Sequence, residues 1–285
     1  MKRLICFFAL IVSLMLSLIL PKASAITYGF VDSSNTYGNT GAFIVKSSTT
    51  GQIFPICSGT MITSNVFLTA SHCTSFYTQD LAPEGYVAYV SLDQSIPFGD
   101  LSSSKTTLLP VAHVVTNPNY NQSQSDSGDI GALVLERGVR GVTPAALPAC
   151  GLLDQLVAQN GMKAASFTNA GYGIQNRVVG GGVPFFQDLN PIPRMFSFSS
   201  FNSLNGGYLR LSQNASTGNG GTCFGDSGGP NFLTVDGKQL IVAITITGDS
   251  VCRSTNVVYR LDTASAQGFL AYVNAAFGTT IPISC

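Results

Sequence analysis

Charge is scarce in this chain, with 14 basic and 14 acidic side chains among 285 residues. That balance gives no electrostatic footprint for nucleic acid. Histidine is scarcer still: His72 and His113 are the whole complement, far apart in sequence. No two cysteines stand as C-x-x-C, so a typical zinc site has no ligands to draw on. No metal or other cofactor is expected. Sustained helical periodicity is rare, and neither an internal repeat nor a low-complexity array is visible.

What the chain does have begins at its start. Lys2 and Arg3 precede an apolar run from Leu4 to Leu20, and Ala23-Ser24-Ala25 closes it. This is the pattern of a secretory signal with a small-residue cleavage site, against the alternative of an uncleaved anchor. Residues 1–25 are therefore expected to be removed, leaving a mature unit from Ile26 to Cys285 without stable membrane association. Three of the 14 basic residues fall in this leader, leaving 11 against 14 acidic ones. Cys6 falls there too, and the remaining six cysteines, Cys57, Cys73, Cys150, Cys223, Cys252 and Cys285, are an even set suited to disulfides outside the cell.

From Ala42 onward, short runs of Val, Ile, Leu, Phe, Thr and Tyr alternate with Gly, Asn, Ser and Pro, as in Ala42–Val45, Val66–Ala70 and Gly85–Leu92. Many short strands separated by turns predict an all-β sandwich or barrel. Leu152–Val157 has room for one helical turn, and Ala264–Phe277, with Phe269, Leu270, Val273, Ala276 and Phe277, reads as a C-terminal helix. The stretches 119–127, 180–182 and 214–221 read as loops on this scaffold.

The chemistry concentrates in Gly225-Asp226-Ser227-Gly228-Gly229-Pro230, a serine among glycines that let the backbone turn and present its amides. The G-x-S-x-G elbow of α/β-hydrolases is excluded, because that fold needs a histidine after the serine and none follows Ser227. A serine nucleophile needs a base, and the choice lies between His72 and His113. His72 directly follows an apolar strand and adjoins Cys73, whereas His113 sits within Pro110–Val115 and reads as a half-exposed strand residue. The base in turn needs a buried carboxylate to hold its tautomer. Asp129 opens the apolar run Asp129–Leu135, while Asp126 stands in a serine-rich loop and reads as solvated.

The order His72, Asp129, Ser227, with the motifs Thr69–Cys73, Asp129–Leu135 and Gly225–Pro230, resembles the trypsin/chymotrypsin family over most of the expected mature chain. Cys57-Ser58-Gly59-Thr60, Gly171-Tyr172-Gly173 and Val258-Tyr259 add to the likeness. The resemblance implies two fused six-stranded antiparallel β-barrels with a C-terminal helix. It also implies a secreted serine endopeptidase acting on proteins or peptides as a monomer. In that reading His72, Asp129 and Ser227 are the catalytic triad, and the amides of Gly225 and Ser227 form the oxyanion hole.

It implies further that a freed Ile26 amine pairs with Asp226, so that leader removal itself activates the enzyme. The implied disulfides are Cys57–Cys73 and Cys223–Cys252, leaving Cys150 and Cys285 to each other. The specificity pocket is expected at Gly221, Gly248 and Val257. Glycine stands at 221, where trypsin-type enzymes carry an aspartate for Arg or Lys, so an uncharged pocket for a small or medium apolar side chain is expected. Asp249 lies close enough to attract a cation, and Ile246-Thr247-Gly248 replaces the family's Ser-Trp-Gly edge.

Three rivals stand beside this reading. A subtilisin-like triad would take Asp32, His72 and Ser227, but needs alternating helices and parallel strands that the pattern lacks. A catalytically silent relative used for binding would not need an intact triad. An esterase would keep the chemistry and change the substrate. Asn121-Gln122-Ser123 and Asn214-Ala215-Ser216 match the glycosylation pattern.

Overall fold

A computed structural model describes residues 26–97, 99, 106–178, 185–187 and 190–285. The leader, and the loop expected at 180–182, lie outside these residues.

Twelve strands build two closed barrels. The first uses β1 (Thr40–Ser47), β2 (Ile53–Met61), β3 (Val66–Thr69), β4 (Tyr86–Ser91), β5 (Leu109–Thr116) and β6 (Gly131–Leu135), closed in the order β1-β2-β3-β6-β5-β4. The second uses β7 (Ser166–Gly171), β8 (Met195–Leu204), β9 (Tyr208–Ser212), β10 (Pro230–Val235), β11 (Lys238–Gly248) and β12 (Thr255–Arg260), ordered β8-β9-β12-β11-β10-β7 and closed by pairing of β7 with β8. All of these pairings are antiparallel, so neither barrel leaves a long unpaired edge.

The period of two in the sequence decides which way each side chain faces. On β1, Phe43 and Val45 enter the first barrel with Met61, Phe67 and Leu133. Their neighbours Ala42 and Ile44 pack on the other face with Ile53, Ile96 and Tyr172. On β3, Phe67 points into the barrel while Val66 and Leu68 point out. Those outward residues meet Phe232, Ile244 and Tyr259 of the second barrel, so the two barrels share one apolar seam.

Three α-helices accompany the barrels in the described residues: α1 (Ser71–Phe76), α2 (Leu152–Ala158) and α3 (Ala264–Phe277). Helix α3 starts where the Thr263 side chain accepts a bond from the Ala266 amide and stops at left-handed Gly278. Its buried Ala266, Phe269, Leu270 and Val273 follow helical spacing and close the seam from below. No described helix is long and apolar enough to cross a membrane.

Buried charge ties the ends of the chain to this frame. Asp32 accepts from Arg194 Nε at 2.9 Å and from the amides of Thr36 and Tyr37, with both charged side chains wholly buried. Arg194 also donates to the carbonyls of Thr40 and Leu92 and to Asn35. Arg260 likewise grips Asp262 on its own strand end and Asp154 on α2.

Candidate active site

His72 sits in the first turn of α1, immediately past β3. Ser71, its neighbour, donates to the Ile130 carbonyl at 2.7 Å and accepts from the Asn117 amide at 2.9 Å, which pins the helix to the start of β6. Cys73 is bonded to Cys57 on β2. Held from both sides, His72 meets Asp129 twice: its amide donates to Oδ1 at 2.9 Å, and its ring Nδ1 lies 2.9 Å from Oδ2. The Asp129 side chain is 5% exposed and that of His72 26%. In the tautomer with the proton on Nδ1, the ring donates to this carboxylate and keeps its lone pair on Nε2.

Ser227 reaches the site from the second barrel. Its carbonyl accepts from the Ser58 amide at 2.9 Å, and the Ser58 hydroxyl donates to the Gly225 carbonyl at 2.9 Å. The same hydroxyl accepts from the Tyr172 amide. Ser58, on β2, thereby stitches the serine loop to the first barrel. Behind the loop, Gly228 N donates to Thr245 O at 2.7 Å and Thr245 N to Gly229 O at 2.9 Å. Gly225 holds φ +94°, a backbone state that a side chain strains.

His72 and Ser227 both line one cavity of about 360 Å³, whose walls include Thr222, Phe224, Thr245, Ile246 and Asp249. Among the described residues no hydrogen bond joins the Ser227 hydroxyl to the imidazole. Such contacts are commonly long in an unliganded enzyme and tighten with substrate.

Asp226 points away from this cavity and is completely buried. Its carboxylate accepts from the Gly173 amide at 2.8 Å and the Cys223 amide at 2.9 Å. Burial raises its pKa to about 7 despite these two donors. The ion pair expected between Ile26 and Asp226 belongs to the chain freed of residues 1–25; with the leader attached, the Ile26 nitrogen is a peptide amide without the charge that pair needs. Ile26 is itself buried against Met195, and Thr27 forms a bridge with Gly221.

Of the three residues expected to shape the pocket, Gly248 lines the cavity and Gly221 and Val257 do not. Gly221 is covered by the wholly buried side chain of Gln213, and Val257 is paired within the sheet to Arg210 and Thr247. Asp249 does line it. Partial burial works to raise the Asp249 pKa, but the amides of Thr255, Arg253 and Ser254 and the Gln213 side chain outweigh it and hold the group below the usual carboxylate range.

Among the described residues three disulfides are present, Cys57–Cys73, Cys223–Cys252 and Cys150–Cys285. The sulfurs near His72 are bonded to each other and offer no thiolate to a metal. His113 is exposed on β5 and packs its ring at a tilt against Phe277, centroids 4.7 Å apart, outside the cavity. Asp32, bound to Arg194, is likewise no partner of His72. Asp126 is not simply solvated: it is half-buried and accepts from Tyr259 at 2.7 Å and from the Gly128 amide at 3.1 Å. Asp126 thus anchors the loop leading into Asp129 to the opposite barrel.

Sequence reading left Ser58, Gln213 and Asp126 without a role. Ser58 carried a signal, since it stands in the motif Cys57–Thr60, but its hydroxyl bonds join residues 167 and 114 positions away.

The sequence model of the Trypsin family matches residues 30–267. A search of curated proteins finds none that matches the chain.

Proposed function

Since the chain belongs to the trypsin family, we propose that it is a secreted serine endopeptidase in which His72, Asp129 and Ser227 act as the catalytic triad. The observation that carries this reading is the pair of hydrogen bonds between buried Asp129 and His72, with Ser227 on the wall of the cavity that His72 also lines. Ser227 Oγ attacks the peptide carbonyl while His72 Nε2 takes its proton, and Asp129 stabilises the resulting imidazolium. The imidazolium then returns that proton to the leaving amine. Water repeats the sequence on the acyl-enzyme, releasing the acid and restoring Ser227. The amides of Gly225 and Ser227 hold the developing oxyanion, an interaction whose loss costs on the order of 10²-fold to 10³-fold in rate.

Residues 1–25 serve export, and Ile26 to Cys285 form the working domain, a monomer. Removing the leader frees the Ile26 amine to pair with Asp226. The support for this switch is a buried carboxylate with no cationic partner among the described residues, in a chain whose Ile26 is also buried and whose Thr27 bridges Gly221, five residues before Asp226. Glycine at 221 supports cleavage after small or medium apolar residues rather than Arg or Lys, and the one carboxylate on the cavity wall among the described residues, Asp249, is already engaged by the amides of Arg253, Ser254 and Thr255 and by Gln213.

Secretion of the full chain from a host cell, N-terminal sequencing of the product and profiling on a peptide library test the reading together. The expected result is a chain starting at Ile26 that cleaves peptides, with no cleavage by Ser227→Ala. A correctly folded, leader-free product that cleaves no peptide overturns it.

A further inference from the structure

Behind the lining of the cavity beside Ser227 lies a buried side chain that bonds to two of its lining residues. Gln213 directly follows β9 and has no exposed surface. Its Oε1 accepts from the Thr222 amide at 2.8 Å and its Nε2 donates to Asp249 Oδ1 at 3.2 Å. Thr222 and Asp249 both line the cavity while Gln213 does not. The amide therefore spans from one wall to the other underneath.

Gly221 reports on the same space. A Cβ built there would lie 2.6 Å from Gln213 Cδ and closer still to its Oε1 and Cβ. Glycine at 221 does not open the cavity, because Gln213 fills the room that the missing side chain leaves. Both hydrogen-bonding ends of the amide are engaged, so the side chain cannot swing aside without stranding the Thr222 amide.

We infer that Gln213 is a specificity-determining residue: it floors the cavity for the substrate side chain preceding the scissile bond and restricts that side chain to small apolar groups. The inference rests on the serine peptidase reading and names the substrate class of the same site. Discrimination by pocket depth amounts to about 10-fold to 200-fold per methylene, so an alanine-against-phenylalanine contrast is measurable.

Two experiments test it, one without catalysis. In the first, mature wild-type, Gln213→Ala and Gln213→Met proteins are inactivated by peptidyl phosphonates ending in alanine, valine, leucine or phenylalanine. Wild type is expected to react fastest with alanine or valine. Gln213→Ala should raise the phenylalanine-to-alanine ratio by on the order of 10-fold to 100-fold. Gln213→Met keeps the length without the amide and should keep the wild-type ratio. If Gln213→Ala does not fold, Gln213→Asn, shorter by one methylene, must raise the ratio instead. An unchanged ratio in the shortened variants, or a wild type that prefers phenylalanine, overturns the inference while leaving the peptidase intact. A folded wild type that no phosphonate inactivates overturns both.

In the second, Gly221→Ala is introduced into Ser227→Ala chains with and without Gln213→Ala, and Tm is measured. Gly221→Ala should lower Tm in the presence of Gln213 and do so far less in its absence. Equal losses in the two backgrounds overturn the claim that Gln213 occupies the space.

Discussion

The two barrels share an architecture but not a way of filling it. The first is packed with Phe43, Met61, Phe67 and Leu133, all without exposed surface. The second has apolar residues such as Leu209, Val242 and Val258 and in addition buries Asn169, Asn231 and Asn256 completely. These asparagines form a ladder: Asn169 and Asn256 donate to Asn231 Oδ1 at 2.7 and 3.1 Å, and Asn231 donates to Thr245 Oγ1 at 3.1 Å. Ser199 extends it through Asn169. Apolar packing fixes volume without direction, whereas a hydrogen-bonded polar network also fixes orientation, here with the Asn256 Oδ1 alone of the three amide oxygens left without a partner. The first barrel is a frame on which His72 and Asp129 are fastened by local bonds. The second aligns β11 through Thr245, whose main chain grips Gly228 and Gly229 next to Ser227.

The largest expected effect erases the contrast, because the chemistry needs both halves. His72→Ala in one barrel and Ser227→Ala in the other should each lower kcat by on the order of 10⁴-fold or more. Asp129→Asn, which holds the imidazole in the wrong tautomer, should cost on the order of 10⁴-fold. Steady-state kinetics on a cleaved peptide checks all three, and a loss confined to one barrel's residues would break the shared-site account.

Substitutions in the interiors then separate the barrels. Phe67→Ala should destabilise the chain by about 3–5 kcal/mol in denaturant titrations while the folded fraction keeps its kcat. Asn231→Ala should destabilise by less, about 1–3 kcal/mol, yet lower kcat, because the partners of Asn231 lose the bonds that set Thr245. Equal effects on kcat from the two would remove the distinction drawn between packing and direction.

Comparable in size to the loss from Phe67→Ala is a pH effect that arises in the second barrel. Asp226 has an ordinary value of 3.8 and a folded value near 7, so the folded full-length chain holds a proton that the unfolded chain has released. Stability from this group is complete below about pH 4 and declines as pH rises toward 7, by roughly 4 kcal/mol in all. Urea titrations of the full-length Ser227→Ala chain should show that decline, and Asp226→Asn should flatten it. The chain cut before Ile26 should lose the decline, since the new amine favours the charged carboxylate.

The sequence disclosed the parts that local patterns encode. Alternating short runs marked strands β1, β3 and β4. The spacing of Phe269, Leu270 and Val273 marked α3, whose bounds are those read from the sequence. The three motifs around His72, Asp129 and Ser227 carried the family. What stayed hidden depends on partners distant in sequence. Asp32 and Arg194 stand 162 positions apart, and neither is flanked by a motif. The hydroxyl that holds Asp126 belongs to Tyr259, 133 positions away. The cavity is shaped less by glycine at 221 than by Gln213 filling the space beneath, a fact about side-chain volume that spacing from the serine does not carry.

The central claim is that Ser227 is made nucleophilic by His72 across the cavity between the barrels. Treating leader-free protein with a fluorophosphonate and mapping the modified peptide tests it most directly. The account predicts one adduct, on Ser227, that forms rapidly in wild type and is lost in His72→Ala. Folded wild-type protein that takes up no label, or that carries it on another residue, contradicts the account.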